Sequence, residues 1–117
     1  MVTNTLTANV ESTAAFLALM GNEKRLLIMI YLTEGELSVG ALAEKIQLSQ
    51  SALSQHLAKL RSSDLVETRR DRQMIYYSCK SAAARKLLTI LNGLLVNGRE
   101  RQPEQDGIEG QRRPEAA

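Results

Sequence analysis

The side chains Gln50, Ser51, Ser54, Gln55 and Lys59 recur at spacings that place them on the polar face of a single helix, with His56 at its margin. They are short or amide-bearing, so a helix carrying them could lie in a DNA major groove, with the glutamines and serines bonding base edges and the lysine a phosphate. Ten residues further on, Arg69, Arg70 and Arg72 form a basic cluster suited to a phosphate backbone. The residues between the polar ones, Leu53, Leu57 and Leu60, fall at i, i+4 and i+7 and make the stripe that would hold such a helix on a core.

The elements that must position these groups follow from local signals. Ser49 is a good N-cap for the polar-faced helix. Residues 65–70 and 73–79 are rich in Val, Thr, Ile and Tyr and are separated by Asp71 and Arg72, which reads as a two-stranded hairpin with its basic residues near the tip. Upstream, Ser38 caps a shorter helix with Val39, Leu42, Ala43 and Ile46 at helical spacing. Gln47 and Leu48 are the only link to Ser49, a connection short enough to make the two helices cross steeply, with Leu48 in the corner. Earlier still, an amphipathic helix over residues 8–20 ends at Gly21. Asn22 then caps a helix whose run from Leu26 to Leu32 is apolar on all sides and is stopped near Gly35. After the hairpin, Ser81 starts a last helix with the stripe Leu87, Leu88, Leu91, Leu94 and Leu95. That stripe is too wide for a small monomer to cover, so with Phe16 and Leu17 of the first helix it marks the expected interface of a symmetric homodimer. The expected fold is mainly α with a two-stranded β wing, a dimeric winged helix-turn-helix. It spans residues 8–97, after a flexible start over 1–7 and before a disordered, proline-containing tail over 98–117.

The distribution of charge supports this placement. The 117 residues carry a net +2, but residues 45–86 hold nine Lys or Arg against three Asp or Glu, a net +6, while residues 1–44 sum to −3 and residues 87–117 to −1. The positive charge is concentrated on the polar helix and hairpin, the footprint expected of a duplex-DNA binder. One cysteine excludes an intramolecular disulfide framework, and the chain shows neither a charged-then-apolar leader nor an apolar run of spanning length, so a cytoplasmic protein with no membrane partner is expected.

Catalytic chemistry finds no constellation. The single histidine and single cysteine lie on elements already explained, and no glycine-rich phosphate loop exists. Glu34 and Glu36 flank Gly35 in a helix-ending turn and read as solvated charges. Neither metal nor cofactor is expected, because too few ligands converge. His56 has two readings, a contact to phosphate or base, or a half-buried brace of the helix against the wing. Cys79 reads as a buried strand thiol. Phe16, Tyr31, Tyr76 and Tyr77 do not make the stacking platform of single-strand binders, and the two neighbouring tyrosines must point to opposite faces of their strand.

The segments NEKRLLIM, ELSVGALAEKI and LSQSALSQHLAKLRSSDLVETRRDRQMIYYS resemble, in this order, the ArsR/SmtB family of dimeric bacterial winged-helix repressors over roughly residues 10–97, and most of all its rhizobial nodulation-repressor branch. The resemblance implies a homodimer joined through its first and last helices that represses by occupying an imperfect palindromic operator. It implies that Gln50, Ser51, Ser54, Gln55, His56 and Lys59 face the groove and that Arg69, Arg70 and Arg72 belong to the wing. This chain departs from the family's metal sensors. Ser38 and Gly40 stand where their paired thiols would be, and residues 81–97 contain no His, Asp or Glu. Cys79 has no second thiol in the chain for the cysteine-pair chemistry of the sulfur sensors. Two rivals stay open: a metal- or redox-responsive sensor using other ligands, and a winged-helix protein-interaction module without DNA contact.

Overall fold

The computed structural model describes residues 2–101. Two helices open the chain, α1 (Val2–Ala8) and α2 (Val10–Met20). Residues 2–7, expected to be flexible, are therefore helical. Alternating threonines are weak helix formers, but Asn9 caps the carboxyl end of α1. Its backbone N–H donates to the carbonyls of Thr5 (3.1 Å) and Leu6 (3.2 Å), and its Nδ2 donates to Thr5 O (2.9 Å). The same residue then starts α2, accepting from the Thr13 N–H at 2.9 Å.

Each of the next three helices is capped by the residue its sequence suggests. The Asn22 side chain accepts from the Arg25 N–H (3.0 Å) to start α3 (Glu23–Glu34). The Ser38 hydroxyl accepts from the Ala41 N–H (3.1 Å) to start α4 (Val39–Ile46). The Ser49 hydroxyl accepts from the Ala52 N–H (3.1 Å) to start α5 (Gln50–Ser62). Such caps stabilise a helix by about 1 kcal/mol each. Ile28, Met29 and Leu32 of α3, Leu42 and Ile46 of α4, and Leu53, Leu57 and Leu60 of α5 are buried and form the core. Truncating a buried leucine such as Leu57 to alanine should cost about 2–5 kcal/mol. Helix α3 is not enclosed on all sides, since Ile30 is exposed.

The corner between α4 and α5 is made by the backbone of Gln47 in the left-handed region (φ 64°). The N–H groups of Gln47 and Leu48 both return to the Ala43 carbonyl, at 2.8 and 3.1 Å, closing α4 so that Ser49 can begin α5 at once. Leu48 is half-buried there.

The wing is β2 (Val66–Asp71) paired antiparallel with β3 (Met74–Cys79), from Val66 opposite Cys79 to Asp71 opposite Met74. The two-residue turn is thus Arg72–Gln73, one position later than expected, with Arg72 at φ 60°. A third short strand, β1 (Leu37–Ser38), pairs with β3 on its other side and gives the sheet order β1–β3–β2. The third strand was not legible in sequence because two residues carry no alternation pattern.

The last helix, α6 (Ala82–Arg101), begins where the Ser81 hydroxyl accepts from the Ala84 N–H at 3.0 Å. The chain divides into two compact units between Ala84 and Arg85. Helix α6 continues through residues 98–101, four positions into the segment expected to be a disordered tail, and carries Gly93 and Gly98 within it. The remainder of that expected tail, 102–117, lies outside the described residues.

Candidate nucleic-acid interface

Helix α5 buries Leu53, Leu57 and Leu60 and turns Gln50, Ser51, Ser54, Gln55 and Lys59 outward, all of them exposed. The result is two adjacent i, i+4 rows, Gln50 and Ser54 beside Ser51, Gln55 and Lys59, held by a leucine stripe that cannot rotate without emptying the core. These five groups can donate to phosphates, and the glutamines and serines can also accept from base edges.

His56 stands apart from those rows. It is half-buried, and its Nδ1 lies 3.5 Å from Nη1 of Arg25 at the start of α3. It therefore braces α5 against α3, not against the wing. Desolvation, and then the positive charges of Arg25, Lys59 and Lys24, hold the imidazole below its ordinary value of 6.5. Arg25 itself donates through Nε to the Leu19 carbonyl at 3.0 Å, so one side chain links the end of α2 to the recognition-helix candidate.

The three wing arginines are in different situations. Strand alternation puts Arg69 and Arg70 on opposite faces. Arg70, opposite Ile75, is exposed near the tip, and Arg72 occupies the turn itself. Arg69, opposite Tyr76, is occupied: Nε and Nη2 each donate at 2.9 Å to the two carboxylate oxygens of Glu36, and the guanidinium carbon sits 4.8 Å from the centre of the Tyr76 ring. The hydrogen bonds from Arg69 lower the Glu36 carboxyl below its ordinary 4.5, and the same pairing raises Arg69. Glu36 is thus a partner of the wing and not merely a solvated charge. Tyr77, on the other face, lies between Leu37 and Thr68 in the register.

Glu36, Tyr76 and Arg25 were missed as parts of the site. Period-2 alternation would have separated Arg69 from Arg70, but nothing local pairs Arg69 with a residue 33 positions earlier.

The apolar residues assigned to self-association are placed as follows. On α2, Leu17 is exposed and Phe16 half-buried. On α6, Leu91, Leu94 and Leu95 are exposed, with Ile90 and Val96 beside them, while Leu87 and Leu88 are half-buried. Cys79 is buried, with Sγ 3.5 Å from the Ser81 carbonyl. Among the described residues no three His, Cys, Asp or Glu side chains group as metal ligands, and no helix is long and apolar enough to cross a membrane.

Comparison with known proteins finds relatives by family, by sequence and by structure. The family model described as bacterial regulatory protein, arsR family, matches residues 22–68, the stretch from the Asn22 cap into β2. The nodulation protein NolR of Rhizobium meliloti is 57% identical over 84 residues, covering 72% of this chain and 69% of that protein. The transcriptional activator HlyU of Vibrio cholerae is 43% identical over 86 residues, covering 74% and 80%. Among solved structures, NolR from Sinorhizobium fredii superposes with a TM-score of 0.71 at 53% identity, over 75% of this chain and 88% of that one. The homodimeric winged helix-turn-helix DNA-binding domain from Mycobacterium bovis does so with 0.72 at 26% identity, over 82% and 89%.

Proposed function

The chain belongs to the ArsR family of bacterial regulatory proteins, and from that membership we propose that this DNA-binding transcriptional regulator acts as a cytoplasmic homodimeric repressor on an imperfect palindrome. The observation that carries this reading is the exposed set Gln50, Ser51, Ser54, Gln55 and Lys59 on a helix locked by buried leucines, in the same net +6 segment as a wing bearing Arg70 and Arg72. Base edges are read by the helix, and phosphates are held by Lys59 and the wing tip.

Self-association is supported by the uncovered leucines of α6 and by Leu17 of α2, and by the homodimeric state named for the Mycobacterium bovis domain. A two-fold dimer presents two copies of α5, which is the geometry a palindrome requires. Repression follows from an operator that overlaps a promoter.

The test is duplex binding across a salt series, with footprinting of fragments selected from the source genome. The expected result is affinity that falls steeply with salt, and a protected site with two related half-sites about one helical turn apart. Affinity that is flat in salt, or protection of a single unrepeated half-site, would overturn the reading.

A further inference from the structure

Arg69, Tyr76 and Glu36 form a clamp across the whole sheet. Arg69 lies on β2, its guanidinium stacks on Tyr76 directly opposite on β3, and its fork closes on Glu36, the residue before β1. Strand β1 ends at Ser38, whose hydroxyl caps α4. The clamp therefore ties the wing to the entry of the helix-turn-helix pair. The planar fork is matched by a carboxylate in bidentate geometry, and the charge of the arginine is offset by its partner.

Resting on the DNA-binding reading above, we propose that Arg69 is a positioning residue for DNA recognition, not a phosphate anchor, and that the acidic Glu36 is required for tight specific binding. Arg70 and Arg72 are then the wing's phosphate contacts, and the Glu36–Arg69 fork sets the angle at which they are presented. The claim runs against simple electrostatics, in which any acidic residue near a DNA surface weakens binding. The two accounts differ in sign.

The experiment uses the full chain and two duplexes of about 30 base pairs, one selected by the unaltered protein from a randomised pool and one of random sequence, each titrated across a salt series. Glu36→Gln removes a negative charge, yet affinity for the selected duplex should fall about three- to tenfold, because a freed wing must be ordered on binding. Arg69→Lys, which keeps the charge but loses the fork, should fall similarly. Neither change should alter the salt slope, whereas Arg70→Gln should reduce it by about one per subunit. Thermal melting of both clamp variants should stay close to that of the unaltered protein, since an exposed pair contributes little to global stability. Tighter or unchanged binding by Glu36→Gln, or undiminished binding by Arg69→Lys, overturns the proposal. So does a reduced slope in Arg69→Gln. If the unaltered protein itself lacks salt-dependent duplex binding, the DNA-binding reading fails first, which separates the two.

Discussion

Arg25 and His56, 31 positions apart in the chain, meet with Nη1 of the arginine 3.5 Å from Nδ1 of the imidazole. Arginine offers donors only, so Nδ1 is the accepting nitrogen and the ring hydrogen sits on Nε2. The contact requires an unprotonated Nδ1, and protonation there would set a new positive charge against Arg25.

This has a consequence for stability against pH. The folded pKa of His56 is depressed by burial and by Arg25, Lys59 and Lys24. Well above 6.5 the ring is neutral folded and unfolded, and it contributes no pH dependence. As pH falls through 6.5 the unfolded chain takes up the proton first, so stability declines until the folded pKa is passed. Denaturant titrations between about pH 8 and pH 5 should show that decline, and His56→Gln should remove that part of it. Identical profiles for the two proteins would refute the assignment. The Glu36 carboxyl does not confuse the measurement, because its pKa is lowered from 4.5 and its contribution is lost only in more acid solution.

Base reading and phosphate binding should separate by mutation. Ser54→Ala or Gln55→Ala is expected to cost about 1–3 kcal/mol on the specific duplex and little on random DNA. Arg70→Ala should weaken both. Equal losses on both duplexes for the helix variants would show that α5 does not carry the discrimination.

Leu91 and Leu94 are exposed on α6, and two charges there should abolish self-association. Leu91→Glu with Leu94→Glu is expected to give monomers in sedimentation. Each would then hold one half-site instead of two separated by about 34–36 Å, losing most specific affinity. A double variant that stays dimeric would exclude this face as the interface.

The corner of the helix-turn-helix pair offers a paired test of backbone energetics. Gln47 sits at φ 64°, where a side chain is strained, while Gly40 lies within α4 with no atom within 4 Å of a Cβ built on it. Gln47→Gly should therefore stabilise by about 0.5–1 kcal/mol, and Gly40→Ala by a similar amount for the opposite reason. Thermal melting of the two single variants measures both, and a loss in either would contradict the local account.

What the sequence determined by itself were the features that depend on near neighbours. Asn22, Ser38 and Ser49 cap the helices their types and positions suggest, since a cap acts three residues along the chain. The stripe Leu53, Leu57 and Leu60 is buried because helical periodicity fixes which side must be covered, and that decides which polar residues face out. The wing was legible from alternation and turn residues, to within a position. Tertiary structure alone decided which of the basic groups are occupied. Arg69 looks equivalent to Arg70 in sequence, yet it is closed on Glu36, and His56 belongs spatially to Arg25 rather than to the wing. The strand β1 exists only because β3 is there to pair with it. Such pairings join residues 31 to 40 positions apart, and no local propensity encodes them: they arise when the folded backbone brings donor and acceptor within bonding distance.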